Sequence, residues 1–325
     1  MTKSLRFGIL GAARIAPKAL ILPVAKLSDV EVTRVAARDR ARAEAFATEH
    51  GIAGVSADYN ELINAEDVDV VYNPPPMSLH AEWTIAALRA GKHVLCEKPF
   101  ASNATEAAEM VRVADEEGLL LGEAFHYLYH PLFTRILDEV ASGRIGDLVR
   151  VEGTFEGRIA QPDIRWDYAT SGGSLMDLGT YPMSWVRHIT GEEPTVVSAE
   201  AVEGPPKIDA AIATELLFPS GVTARVASAM ERGPAISLKI EGTEGRIDVS
   251  NPMAPQNGNR LTITTAAGQT SGPVDAGVSY EHMMRAFVDF VVHGAEFPTR
   301  GADSVGNMAA IDAVYTSAGL PIRGT

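Results

Sequence analysis

The chain has 325 residues, 46% hydrophobic and 22% charged, with 28 Lys and Arg against 42 Asp and Glu for a formal charge of −14; a mean hydropathy of +0.02 describes a soluble chain long enough for two ordinary domains. The acidic balance, with a pI near 5.0, argues against nucleic acid or another polyanion as partner. The single cysteine, Cys96, excludes an intrachain disulfide framework, no apolar run approaches a membrane span, and Phe7-Gly8-Ile9-Leu10-Gly11 is too short and glycine-rich for a secretory core, so the cytoplasm is the expected compartment and no membrane partner is expected.

Leu5–Leu10 reads as a short buried strand, followed by Gly11-Ala12-Ala13-Arg14-Ile15-Ala16 and a helical pattern carrying Ile15, Ala19, Leu22 and Leu27 on overlapping faces. Strand, tight turn and helix at this spacing match the dinucleotide fingerprint G-x-G-x-x-G/A, with Gly11 making the turn and Ala16 allowing close helix-on-strand packing. Ala13 replaces the middle glycine and adds a methyl group where backbone would approach a pyrophosphate. The free N–H groups at the helix start still suit a phosphate.

The next strand, residues 31–37, ends in Arg38-Asp39-Arg40-Ala41-Arg42, where the ribose of an adenosine would lie. An acidic residue there would accept from a 2′-hydroxyl, whereas the guanidinium fork of Arg38 suits a 2′-phosphate. This favours NADP as the cofactor and leaves NAD possible. The three arginines also fit the exposed start of a helix running to His50 with Asp39 as its N-cap.

Residues 68–72 then read as strand, 78–90 as helix, His93–Cys96 as strand, Ala104–Glu117 as helix and 119–122 as strand. Repeated βα units of this length predict a doubly wound parallel sheet over residues 1–122. Asn73-Pro74-Pro75-Pro76 lacks a backbone donor at three positions; it reads either as a wall beside a nicotinamide or as a rigid turn with Ser78 capping the helix. Val94-Leu95-Cys96-Glu97-Lys98-Pro99 places a carboxylate and a lysine at the end of a buried strand, where ligands sit in open α/β sheets. Lys98 is therefore a candidate for substrate binding or proton transfer, although the same residues by themselves fit a solvated loop lysine.

After residue 122 the rhythm changes. A helix over 131–142 leads into 149–157, where Val149, Val151 and Phe155 alternate with Arg150, Glu152, Thr154 and Glu156. Further alternating runs lie at 196–202, 213–218, 222–230, 237–241 and 246–249, separated by turns such as Pro219-Ser220-Gly221. They predict an α+β domain over 123–325 with a large, mostly antiparallel open sheet, its closing helices at 280–293 and 302–318 free to pack back on the first domain.

Inside it, Ser171-Gly172-Gly173-Ser174-Leu175-Met176-Asp177-Leu178-Gly179-Thr180-Tyr181 begins a helix that carries Asp177 and Tyr181 on one face. A carboxylate and a phenol share a space there, as they would in an ordinary amphipathic helix with a part-buried tyrosine. His126 and His130 share the same spacing, but no H-E-x-x-H pattern accompanies them and Pro131 limits a helix, so no metal site is expected.

Together, the G-x-A-x-x-A turn, Glu97-Lys98-Pro99 and the Gly172 to Tyr181 run resemble the Gfo/Idh/MocA oxidoreductase family over nearly the whole chain. The Asp-x-x-x-Tyr form is similar to the branch of NADP-dependent dihydrodiol dehydrogenases and aldose (xylose or glucose) dehydrogenases. The resemblance implies a Rossmann domain followed by a substrate and oligomerisation domain, and hydride transfer between nicotinamide and a carbinol or carbonyl carbon of a sugar, polyol or dihydrodiol. It implies Lys98 and Tyr181 as the catalytic pair, assisted by Asp177, with Arg165 and Asp177 in the substrate pocket. At the cofactor it places Gly8, Gly11, Ala13, Arg14, Ile15, Arg38, Pro74, His80, Glu97 and Lys98, with Glu97 as a positioning group.

Two departures stand out. Met77 replaces the asparagine of an N-x-x-H motif that His80 completes. In His126-Tyr127-Leu128-Tyr129-His130-Pro131, where relatives more often have Met-Tyr/Trp-Arg-x-His-Pro, His126 brings a titratable group toward the substrate and Leu128 removes an arginine. Pairing of copies through the open face of the second sheet is a further implication, giving a homodimer or higher homo-oligomer. The scaffold also resembles NAD-dependent glycoside hydrolases and non-catalytic NADP-binding regulators; retention of Lys98 and Tyr181 disfavours a regulator.

The chemistry can be argued from the side chains. A phenol is a poor base at neutral pH. An ammonium about 4 Å away, in an effective dielectric of about 20, stabilises the phenolate by roughly 4 kcal/mol. Lys98 would then orient the substrate oxygen and acidify Tyr181, while Asp177 holds a neighbouring hydroxyl; the residues alone leave open whether Tyr181 or Lys98 carries the proton.

Overall fold

The computed structural model describes residues 4–325. Its first half runs β1 (Leu5–Leu10), α1 (Leu22–Val24), β2 (Val30–Ala36), α2 (Arg40–His50), β3 (Gly54–Val55), α3 (Tyr59–Ile63), β4 (Val70–Asn73), α4 (His80–Arg89), β5 (His93–Cys96), α5 (Ala104–Glu117) and β6 (Leu121–Glu123). The strands form one parallel sheet in the order β3-β2-β1-β4-β5-β6, the doubly wound order that binds dinucleotides where strand order reverses. Helix boundaries follow local chemistry. Asp39 accepts from the Ala41 and Arg42 amides to start α2, and Asn103 accepts from the Glu106 amide to start α5. Gly51 and Gly118, both left-handed, end them.

Two local expectations need correction. The helix after the glycine turn is not a continuous α-helix. Residues Pro17–Ile21 form a π-helical turn in which the Leu22 amide donates to the Pro17 carbonyl, and only α1 follows. Pro23 has no N–H to give Ala19, its i−4 neighbour, so the α-helical ladder breaks there, and Leu22 is left exposed rather than on a buried face. Ser78 does not cap α4: it lies within a 3₁₀ turn, Met77–Leu79, that has no side-chain cap. The short β3 and α3 had no periodic signal of their own.

The second half runs α6 (Pro131–Ala141), β7 (Leu148–Glu156), α7 (Thr180–Thr190), β8 (Thr195–Glu203), β9 (Asp209–Leu217), β10 (Thr223–Ala229), β11 (Ala235–Gly242), β12 (Gly245–Ser250), β13 (Arg260–Thr265), β14 (Gly268–Gly272), α8 (Ser279–His293) and α9 (Ala302–Ser317). Eight strands form a sheet in the order β14-β13-β12-β11-β7-β10-β9-β8. Its neighbours are antiparallel except β7 and β10, which run parallel. Alternation along β7 buries Val151, Gly153 and Phe155, and Gly153 matters because a Cβ there would meet Pro182 of α7 at 2.7 Å. The helix packs directly on the strand. Strand β13 and the polar, glycine-containing β14 were not expected.

The chain divides into two compact units. One holds the residues up to Phe125 together with Tyr280–Ser304; the other holds His126–Ser279 and Val305–Thr325. The first unit thus extends to Phe125 and takes in residues 280–304. The cause is packing. In α8, Phe287 lies 6.1 Å from Phe7 of β1 and 5.5 Å from Phe297, ring centre to ring centre. Gly122 of β6 leaves room for Phe297, which a Cβ would meet at 2.6 Å. Thr299 then donates to the Glu123 carbonyl and accepts from the Glu123 amide, satisfying the end of β6. Among the described residues no helix is long and apolar enough to cross a membrane.

Candidate active site

In the first unit, the turn after β1 is built around Gly11, whose φ of +91° favours glycine. Its amide donates to the Ala36 carbonyl at 2.6 Å, and its carbonyl accepts from the Ala13 amide at 2.8 Å. Ala16 is fully buried behind the turn, Ala13 and Ile15 are part-exposed and Arg14 is exposed. Gly8 lies within β1, where Leu62 and Val68 occupy the space a side chain would take; packing alone accounts for that glycine.

The three arginines after β2 separate. Arg40 pairs with Glu44 on its own helix at 2.9 Å. Arg42 instead donates to the Ala12 carbonyl at 2.9 Å, inside the turn, and Arg38 is exposed beside it. The Tyr59 hydroxyl would lie 3.2 Å from a Cβ on Gly11; burial pushes that phenol's pKa up, and the charges of Arg38 and Arg42 pull it back. A glycine turn with small flanking residues and two guanidinium groups fits the phosphates of a dinucleotide. Tyr59 and the inward reach of Arg42 were missed, because neither lies in the fingerprint.

The ends of β4 and β5 carry a buried polar network. Glu97, buried, accepts from the Tyr72 hydroxyl at 2.6 Å, and its other oxygen accepts from the Lys98 amide at 3.3 Å. Burial and the nearby Glu97 carboxylate hold the phenols of Tyr72 and Tyr280 well above the usual range. The His80 ring is buried between the carbonyls of Pro99 and Pro75, each 2.9 Å from a ring nitrogen. Burial lowers its pKa to about 4, so the ring is neutral at pH 7 and donates to one carbonyl at a time. Through these contacts His80 ties Pro99, the residue after Lys98, to the part-buried Pro74-Pro75 segment. Asn73 donates to the His80 carbonyl and to Thr84, which ties α4 to the strand end. Cys96 is buried, and burial pushes its thiol well up; it is not a poised nucleophile.

In the second unit, Arg165 donates through Nε to Asp177 at 2.8 Å and through Nη1 to Asp163 at 3.1 Å. The negative charge of Asp177, set against burial and aided by Asp163, raises the Arg165 pKa. Asp177 lies in a second π-helical turn, Leu175–Gly179, which runs into α7. Single π turns inside helices recur at functional sites. Gly179 permits this one, since a Cβ would meet Leu175 at 2.8 Å and Ser228 of β10 at 2.9 Å. Tyr181 is buried at the start of α7, its ring 5.6 Å from Phe155 and 6.1 Å from both Tyr127 and His126. His126 is buried with Nδ1 2.8 Å from the Ser279 hydroxyl, which donates to Gln256 at 3.1 Å. His130 accepts from the Leu132 amide and caps α6. Within this unit the structure therefore brings Arg165, Asp177, Tyr181 and His126 into one neighbourhood. Within the other it brings Glu97, Lys98 and His80 together, with Gly11, Ala13, Arg14, Ile15 and Arg38 at the separate turn.

Known proteins match both units. Residues 5–125 match the model of an oxidoreductase family with an NAD-binding Rossmann fold, and residues 133–248 match the GFO/IDH/MocA C-terminal domain. The chain belongs to the Gfo/Idh/MocA oxidoreductase family. It is similar to a D-xylose 1-dehydrogenase (NADP(+)) of Haloferax volcanii, 36% identical over 96% of this chain and 97% of the relative. It is also similar to a trans-1,2-dihydrobenzene-1,2-diol dehydrogenase of Sus scrofa, 32% identical over 77% of this chain and 75% of the relative. Among solved structures, a 3-ketoreductase from Actinomadura kijaniata, in complex with NADP and TDP-benzene, superposes with a TM-score of 0.90. It is 30% identical and covers 97% of this chain and 98% of its own. As a member of the family the protein is an NAD(P)-dependent oxidoreductase, and the family's α/β organisation is the one described above.

Proposed function

We propose that the protein oxidises a carbinol, or reduces the corresponding carbonyl, of a sugar, polyol or dihydrodiol, with NADP preferred over NAD. The observation that carries the substrate class is the Arg165–Asp177 pair at 2.8 Å in the same unit as Tyr181, a charged donor and a charged acceptor suited to adjacent hydroxyl groups. The nicotinamide, when bound, takes or gives the hydride. Gly11, Ala13, Arg14 and Ile15 hold the dinucleotide's phosphates, Arg38 and Arg42 a 2′-phosphate, and Pro74 and Glu97 the nicotinamide end, with His80 bracing them. Gly8 contributes through the shape of β1.

Lys98 orients the reacting oxygen and Tyr181 exchanges its proton. Asp177 and Arg165 hold a neighbouring hydroxyl, and His126 sets the polarity behind it. A positioned acid/base group of this kind contributes about 10² to 10⁴ in rate. The names of the relatives support the substrate class: one is a xylose dehydrogenase and one a dihydrodiol dehydrogenase.

The deciding experiment follows the absorbance of reduced nicotinamide with a panel of aldoses, inositols and dihydrodiols, NADP and NAD in parallel. Turnover with NADP and a free polyhydroxylated substrate is expected. Sugar release without net cofactor reduction would replace this reading with that of a glycoside hydrolase, and cofactor binding with no turnover on any substrate would favour a regulator. We further propose that copies of the chain associate through the open face of the eight-stranded sheet, supported by Val197 and Val202, both exposed on β8; light scattering of the purified protein is expected to report a dimer or larger. The cytoplasm is the proposed compartment, supported by a sole cysteine that is buried.

A further inference from the structure

The residues that follow α9 reach back to the run that contains Asp177. Arg323 is completely buried, and its guanidinium donates from Nε to the Gly172 carbonyl at 2.7 Å, from Nη1 to the Pro321 carbonyl at 2.8 Å and from Nη2 to Asp209 at 2.7 Å. It stacks 4.0 Å from the Tyr315 ring centre, and the Tyr315 hydroxyl donates to the same Asp209 oxygen at 3.0 Å. The other Asp209 oxygen accepts from the Leu175 amide at 2.7 Å and the Ser174 hydroxyl at 2.9 Å. One guanidinium thus fixes the carbonyl that precedes the π turn and the carboxylate that caps it.

The same loop holds the partner of Asp177. The Gly173 amide donates to the Arg165 carbonyl at 2.9 Å and the Gly172 amide to the Asp167 carbonyl at 3.0 Å. No side chain fits at either glycine: a Cβ on Gly172 would lie 2.4 Å from the Arg165 carbonyl oxygen, and one on Gly173 would lie 2.2 Å from Asp209. Tyr168, in the adjoining turn, donates to the Ile322 carbonyl at 2.8 Å. A buried ion pair is weak evidence for stability, since its desolvation cost offsets its attraction. What this one does is set the backbone that presents Arg165 and Asp177.

We infer that Arg323 is a positioning residue of the substrate site, acting through Asp209 and Gly172 on the Arg165–Asp177 pair; the inference rests on that pair contacting substrate. Arg323→Lys keeps the charge but cannot serve the Gly172 carbonyl and Asp209 with one planar fork. A misplacement of about 1 Å costs on the order of 100-fold. Arg323→Lys is therefore expected to raise substrate KM by at least tenfold while the Kd for NADPH, read by its fluorescence, stays at the wild-type value. Combined with Asp177→Asn it should add little, because both changes remove the same contact.

A folded Arg323→Lys enzyme with wild-type KM, beside an Asp177→Asn enzyme with raised KM, overturns the inference alone. Full multiplication of the two effects in the double variant also overturns it. Wild-type KM in Asp177→Asn overturns the substrate reading and the inference with it. If Arg323→Lys does not fold, Tyr168→Phe decides: a few-fold rise in KM supports the positioning role, and an unchanged KM overturns it.

Discussion

The two units bury polar groups in different ways. At the ends of β4 and β5 the buried groups lean on backbone and on neutral side chains: His80 on two proline carbonyls, Glu97 on a phenol and a backbone amide. In the second unit two ion pairs carry the site, Arg323 on Asp209, fully buried, and the part-exposed Arg165 on Asp177. Backbone partners stay in place when one side chain changes, whereas each half of an ion pair leaves a charge stranded when the other is removed. The first arrangement tolerates adjustment around a bound molecule; the second defines one geometry.

The largest effect expected is on chemistry. Lys98→Met and Tyr181→Phe should each lower kcat by about 10² to 10⁴. Near-wild-type turnover in Tyr181→Phe, with loss in Lys98→Met, would move the proton to Lys98 and place the chemistry wholly in the backbone-braced unit. Pre-steady-state hydride transfer separates the cases. Next in size, Asp209→Ala should destabilise the second unit by about 3–5 kcal/mol by stranding a buried guanidinium, seen as a lowered thermal midpoint. An unchanged midpoint would remove the contrast between the two regions.

The strand-end region should instead show its cost through pH. With burial holding His80 at about 4 against an ordinary 6.5, the unfolded chain binds a proton between those values and the folded chain does not. Stability therefore falls as pH drops from 6.5 to 4, by roughly 3 kcal/mol in all, and is fully present above 6.5. Denaturant melts of wild type and His80→Gln across that range check this: the variant should lose that part of the slope. The smallest effect lies at the nucleotide turn. Arg38→Ala should raise KM for NADP by about 10- to 100-fold, the worth of a charge-assisted hydrogen bond, and leave NAD unaffected, whereas Arg42→Ala, which also loses its bond to the Ala12 carbonyl of the turn, should raise KM for both. Arg40→Ala should change neither, since its partner is Glu44.

What was legible in the sequence follows the same division. A nucleotide turn and a strand-end Glu97-Lys98-Pro99 are made of consecutive residues, so their spacing survives in the chain, and β1, β5 and α5 were readable to the residue from their apolar runs and caps. The contacts that shape the second site join residues far apart: Arg165 to Asp177, Asp209 to Ser174 and Leu175, Arg323 to Gly172, His126 to Ser279. Nothing local marks them. Both π turns escaped notice because their residues carry ordinary helical apolar spacing; the prolines and Gly179 that permit them act through missing donors and missing side chains.

The assignment of residues 280–304 to the first unit has a consequence for synthesis. On the ribosome the nucleotide-binding sheet emerges early, yet Phe7 and Gly122 wait for Phe287 and Phe297 until nearly all of the chain has been translated. The cofactor-binding unit is then expected to mature late although it is begun first, and the second unit, which also needs Val305–Thr325, is completed after it. Nascent chains arrested before residue 280 should be cut readily by protease within β1 and β6, and arrest past 304 should protect them.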